Sequence, residues 1–172
     1  MLHSRLELCE SNEPRQAREA FGFTRTICAC AICQAPCHHI PGSLDVADLP
    51  RLCPPSQNVF TWAEEHLRAI VDKGYPTLVP SRGANSHCHW LFEGRCSVHA
   101  VAPYSCAFFD SHMTDVEIDR RSAATIKARR DDAAANGLYY QVWLHLCRKN
   151  LIGPPGDRAG LAEEVSRLRH QA

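Results

Sequence analysis

Two groups of cysteines, separated by fifty residues, constrain this chain more than any other feature of its sequence. The first, Cys28-Ala29-Cys30-Ala31-Ile32-Cys33-Gln34-Ala35-Pro36-Cys37, puts four sulfurs into ten residues, and the second runs from Cys88 through Cys96 to Cys106. A two-residue gap such as that between Cys30 and Cys33 lets a tight turn aim two thiolates at one ion, and the remaining sulfurs complete a tetrahedral or cluster site. A free cysteine also behaves as a small apolar residue, but packing alone accounts poorly for such density. Pro36 disfavours a regular helix through the first group. Both groups therefore read as metal-binding loops.

Disulfides are the competing use of ten cysteines in 172 residues. The first thirty residues contain Glu7, Glu10, Glu13 and Glu19 and no apolar h-region, so a cytoplasmic location is expected, where thiols are kept reduced. No stretch approaches the roughly 18 apolar residues of a membrane span, and membrane insertion is not expected. Nineteen basic residues balance nineteen acidic ones, which gives no field for nucleic acid and predicts none as a partner. The apolar fraction of 45% and charged fraction of 22% are ordinary for a globular chain. The length suits a single domain over 1–172, with a cysteine-cluster metal-binding region over 28–109 and a helical region over 114–172.

From Cys28 to Phe109 the sequence resembles the YkgJ-type cysteine-cluster family of zinc- or iron-chelating domains. The resemblance rests on the early clustered cysteines, on Cys88-His89-Trp90-Leu91-Phe92-Glu93-Gly94-Arg95-Cys96, and on Ala102-Pro103-Tyr104-Ser105-Cys106 with Phe108 and Phe109 following. It implies that Cys30, Cys33, Cys37, Cys88, Cys96 and Cys106 are metal ligands, with Cys28 as a seventh. The family's first group ends in two adjacent cysteines, whereas here three residues separate Cys33 from Cys37. Six or seven thiolates exceed the four of one mononuclear zinc. They suit an iron–sulfur cluster with spare ligands, two ions sharing sulfurs, or a zinc site beside a redox-active thiol pair.

Among the histidines near these groups, His38, His39, His87, His89 and His99 are candidates to complete a Cys₃His zinc site, although a histidine more often lies on the surface or braces a ligand by a hydrogen bond. Cys9, Cys53 and Cys147 lie outside the matched spacing and are assigned to packing.

The expected fold is mainly α, a small helical domain with cysteine-rich loops and a short β-hairpin. Val59, Trp62, Ala63, Leu67, Ile70 and Val71 recur at helical spacing between Asn58 and Lys73, predicting a helix that starts near Ser56 or Gln57 and stops at Gly74. Thr114 and Glu117 have capping-box spacing and open a second helix running toward Gly137. Leu138 to Lys149 and Ala159 to His170 read as two more. Trp90 to Val98 reads as two short extended pieces around Glu93-Gly94. Trp62, Leu67, Ile70, Trp143 and Leu146 are expected in the core. Arg15, Arg18 and Glu19, then Arg120, Arg121, Arg129 and Arg130, read as solvated helical surfaces, the later set a candidate patch for an acidic partner.

No nucleotide-binding or hydrolase motif is present. The expected function is metal binding, of zinc or an iron–sulfur cluster, in a structural role or one that recognises a protein partner. An iron–sulfur redox enzyme or a component of a protein-modification system is the alternative; similar cysteine clusters occur in flagellin lysine methylases. Metal delivery or thiol sensing is a third reading.

Overall fold

The structure, a computed structural model, describes residues 22–23, 30–40, 42–83, 85–98, 101–154 and 156–171. Its order is α1 (Ala31–Gln34), α2 (Pro36–His39), α3 (Asp48–Leu52), α4 (Val59–His66), β1 (Leu67–Asp72), β2 (Tyr75–Pro80), β3 (Leu91–Phe92), β4 (Arg95–Cys96), α5 (Tyr104–Ala107), α6 (Asp115–Ala134), α7 (Leu138–Arg148) and α8 (Arg158–His170). Helices predominate, as the apolar periodicity of the C-terminal half implied. No helix among the described residues is long and apolar enough to cross a membrane.

The predicted helix over Asn58 to Lys73 is corrected. Asn58 caps α4 by accepting hydrogen bonds from the Phe60 and Thr61 N–H groups, and the helix ends at His66. Leu67 onward is strand β1, paired antiparallel with β2 from Leu67↔Pro80 to Asp72↔Tyr75. Lys73 and Gly74 both have positive φ, 50° and 83°, the left-handed pair that a tight type I′ hairpin needs. Helical and alternating periodicity share Leu67 in this window, and long-range pairing decides between them. The predicted hairpin around Glu93-Gly94 is present as β3–β4, with Leu91 opposite Cys96 and positive φ at both turn residues.

The segment around the first cysteine group is also more ordered in type than a loop. It forms two one-turn helices broken at Ala35, with Pro36 in the first turn of α2, where its missing N–H costs nothing. Thr114 caps α6 through the Glu117 N–H, as the capping-box spacing predicted.

α7 crosses the inner face of the β1–β2 hairpin and packs on α4 and α6. Leu49, Trp62, Leu67, Leu78, Val142 and Leu146 form the centre of this core. Tyr139 anchors it: its hydroxyl donates to the Leu44 carbonyl at 2.9 Å and accepts from the Leu78 N–H at 2.7 Å. Trp143 is only partly buried and donates its indole N–H to the Ile70 carbonyl at 2.8 Å, while Ile70 lies on the outer hairpin face. A second cluster joins Ala102, Tyr104, Ala107 and Phe108 to Phe23.

Two arginines of α6 depart from the expected solvated face. Arg121 and Arg129 are 7% and 3% exposed. Arg121 donates to the Phe108 carbonyl at 2.6 Å and Arg129 to the Thr77 hydroxyl at 2.6 Å, so these charges tie α6 to α5 and to the sheet. Arg120 and Arg130 remain exposed. Arg15, Arg18 and Glu19 lie outside the described residues.

Candidate metal centre

α1 carries Cys33, with Cys30 at its N-cap position. The helix docks against the turn that follows Phe109: the Ser111 hydroxyl donates to the Ile32 carbonyl at 3.3 Å, and the Ser111 N–H donates to Cys33 Sγ at 3.4 Å. The Asp110 carboxylate accepts from the His112 N–H at 2.8 Å and shapes that turn. His112 is thereby brought to Cys30, with Nε2 3.4 Å from Sγ.

Cys30, Cys33 and His112 have ligand atoms that all lie within 4.8 Å of one another, and among the described residues they are the group able to hold a metal ion. Bonds of about 2.3 Å to sulfur and about 2.0 Å to nitrogen put tetrahedral ligand atoms roughly 3.5 Å apart. The Cys30–His112 separation matches that spacing. The Ser111 N–H adds the kind of hydrogen bond that stabilises a thiolate over a thiol. Sequence reasoning weighed five other histidines and missed His112; the available signal was its place in an Asp-Ser-His turn six residues after Cys106.

The other four predicted ligands on described residues are drawn to a neighbouring region. The Cys88 N–H donates to the Cys37 carbonyl at 2.9 Å, which bonds the second group directly to α2. The Cys88 carbonyl accepts from the Leu91 N–H at 2.9 Å, and Leu91 faces Cys96 across the β3–β4 hairpin. Cys106, on α5, lies against Gly42, where an added Cβ would sit 2.5 Å from its Sγ. The Ser43 and Ser105 hydroxyls bond at 2.8 Å beside this contact.

The four thiols act on one another electrostatically. Burial, with smaller contributions from Cys37 and Cys96, pushes the Cys88 thiol up to about 12 against the opposing backbone hydrogen bonds of Trp90 and Leu91. Burial also holds Cys106 far above the usual thiol range, with Cys37, Cys96, Cys88 and Asp48 adding to the effect. Desolvated, mutually repelling thiolates need a compensating cation if all are to ionise together. Cys28 lies outside the described residues, as do Cys9 and His99.

The remaining candidate histidines have other partners. His39 bonds Glu164 at 2.6 Å and Asp157 at 3.2 Å. Desolvation depresses its pKa, but these two carboxylates outweigh that and raise it. His38 lies 3.5 Å from Glu164 and packs against the His87 ring at 4.7 Å. This cluster fastens α8 onto α2. His89 bonds His66 at 3.0 Å. Cys53 and Cys147 pack in or against the main core, and burial raises both thiols.

Compared with known proteins, the chain matches no family model, no curated protein and no solved structure.

Proposed function

We propose that the protein binds metal through two thiolate centres, and that the metal pins its cysteine-bearing segments to the helical core so that another surface can meet a protein partner. The observation that carries this reading is the approach of His112 to Cys30 and Cys33 across about eighty residues of chain. Three ligands of soft and borderline type, with Cys30 and His112 at tetrahedral spacing and Cys33 within 4.8 Å of both, suit zinc. Cys28, two residues before Cys30 in sequence, is the fourth ligand in this proposal, giving a Cys₃His site.

We assign Cys37, Cys88, Cys96 and Cys106 to a second, more widely spaced centre: among the described residues only Cys30, Cys33 and His112 bring their ligand atoms within 4.8 Å of one another, so a single zinc ion here requires these four sulfurs to draw together. Four thiolates suit zinc or an iron–sulfur cluster equally in ligand type, and the backbone bond between Cys37 and Cys88 supports their acting together. The reading keeps the resemblance to the YkgJ-type family as part of the proposal. It differs from a single shared centre in dividing the sulfurs and adding a histidine. Metal then stabilises the fold, because a ligand that binds only the folded form shifts the folding equilibrium.

Elemental analysis and absorption spectra of protein purified without oxygen test the reading. His112→Ala and Cys96→Ser are each expected to lower bound metal by about one centre's content, and the double variant by both. Cys147→Ser is expected to retain full metal, since that thiol packs against the core. Brown protein with acid-labile sulfide identifies a cluster at the four-cysteine centre; colourless protein with zinc identifies zinc. Full metal in both His112→Ala and Cys96→Ser would refute the proposal.

A further inference from the structure

The outer face of the β1–β2 hairpin forms a cavity that the metal reading does not use. Leu67, Ala69 and Leu78 point into the core, so strand alternation turns the cross-strand pairs Arg68↔Val79 and Ile70↔Thr77 to the opposite face. α6 reaches one part of that face, where Arg129 donates to the Thr77 hydroxyl at 2.6 Å, and a strap of chain borders the rest. Ala69 N–H donates to the Leu151 carbonyl at 3.0 Å and Gly153 N–H to the Ala69 carbonyl at 2.9 Å, which bonds the strap along β1. The strap lies so close that a Cβ on Gly153 would come 2.8 Å from Ile70 Cγ2, and one on Gly156 would come 3.1 Å from Ile40. With Gly42, Ser43 and Ser105 on the other side, these segments enclose about 600 Å³, a size typical of small-molecule sites.

The lining is divided by chemistry. Ile40, Ile70, Val79, Ile152 and Pro154 supply an apolar middle, whereas Arg68, Arg82 and Arg158 supply three positive charges against the single carboxylate of Asp72. Strand register sets Asp72 opposite Tyr75 at the hairpin turn and Arg68 opposite Val79 toward the other end. Arg68 and Asp72 therefore lie toward opposite ends of the strand pair that borders the cavity.

Backbone carbonyls orient two of the arginines, and for Arg68 they fix the guanidinium without neutralising it. Arg68 donates to Leu67 at 2.6 Å and Glu64 at 3.0 Å, and Arg82 donates to His39 at 2.8 Å. Arg82 also lies near Asp157 and helps hold that carboxyl low, although Asp157 is itself bonded to His39 and the Gly160 N–H. Neither Arg68 nor Arg158 takes part in an ion pair among the described residues. A planar, weakly hydrated guanidinium held at the mouth of an apolar cavity is well made for a carboxylate or phosphate oxygen pair.

We propose that this cavity binds a small organic anion with an apolar body, its charged end against Arg68, Arg82 and Arg158 and its body on Ile70, Val79 and Ile152. Titration calorimetry on the full-length protein with octanoate, octyl phosphate, octanol and inorganic phosphate tests it. Octanoate or octyl phosphate is expected to bind one to one, at least tenfold more tightly than octanol or inorganic phosphate. The tighter of the two identifies the ligand's charged group as carboxylate or phosphate. Arg158→Gln, at the exposed start of α8, and Arg68→Gln are each expected to weaken the anion at least tenfold and leave octanol unchanged, with urea midpoints confirming folded protein. Octanol binding as tightly as both anions, anion affinity unaltered in both variants, or no binding of either anion would overturn the proposal.

Discussion

Gly42→Ala tests the four-cysteine centre without touching a thiol. The added methyl carbon would lie 2.5 Å from Cys106 Sγ and 3.1 Å from both the Cys106 nitrogen and the Ser105 carbonyl carbon. Non-bonded heavy atoms prefer about 3.5 to 4.0 Å, so the sulfur contact is too close by roughly 1 Å. Relief requires Cys106 to leave its position or the 42–44 segment to retreat. Retreat would stretch the Ser43–Ser105 hydroxyl bond at 2.8 Å and the bond from Leu44 N–H to the Leu78 carbonyl at 2.8 Å. Overpacking of this kind costs about 1 to 3 kcal/mol, which for a urea m-value of about 2 kcal/mol/M lowers the midpoint by roughly 1 M. The variant is also expected to lose metal from the four-cysteine centre while keeping that bound by Cys30, Cys33 and His112. Gly83→Ala is the control, because its Cβ would meet nothing within 4 Å. Urea unfolding followed by circular dichroism, with elemental analysis of the same samples, reads both effects. If Gly42→Ala matches Gly83→Ala in midpoint and metal content, the close approach of the 42–44 segment to Cys106 is wrong.

Two further perturbations address the core. Asp45 is 1% exposed, and burial followed by repulsion from Asp48 raises its carboxyl to about 7; the stability it contributes is therefore present below its ordinary value near 3.8 and lost as pH rises through about 7. The unfolding free energy from urea titrations is expected to fall from pH 5 to pH 7.5, by up to ~1.4 kcal/mol per pH unit, and Asp45→Asn is expected to reduce that slope; an unchanged difference between wild type and variant across the range would refute the assignment. Trp62, 5% exposed and stacked near Trp90, is expected to cost about 3 to 5 kcal/mol when changed to Ala. Trp143→Ala is expected to cost less because that ring is only partly buried, and thermal melts showing the reverse order would contradict the packing described.

What the sequence determines by itself is local in origin. The Thr114 cap, the periodicity of Leu138 to Lys149 and the Glu93-Gly94 turn each depend on residues a few positions apart, and α6, α7 and the β3–β4 hairpin follow from them. The cysteine groups are equally visible, since ligand type and spacing are written in the chain. Tertiary structure decided the rest. Leu67 to Asp72 became a strand because its hydrogen-bond partners lie in β2 and in the strap, beyond any local pattern. Arg121 and Arg129 read as solvated charges until Phe108 and Thr77 supplied buried acceptors. Likewise Cys30 and Cys33 meet His112, while Cys37 bonds to Cys88, because α1 and α2 dock against separate parts of the fold. Spacing along a chain can nominate ligands, but which of them share an ion depends on where distant segments pack, and that is fixed only when the core closes.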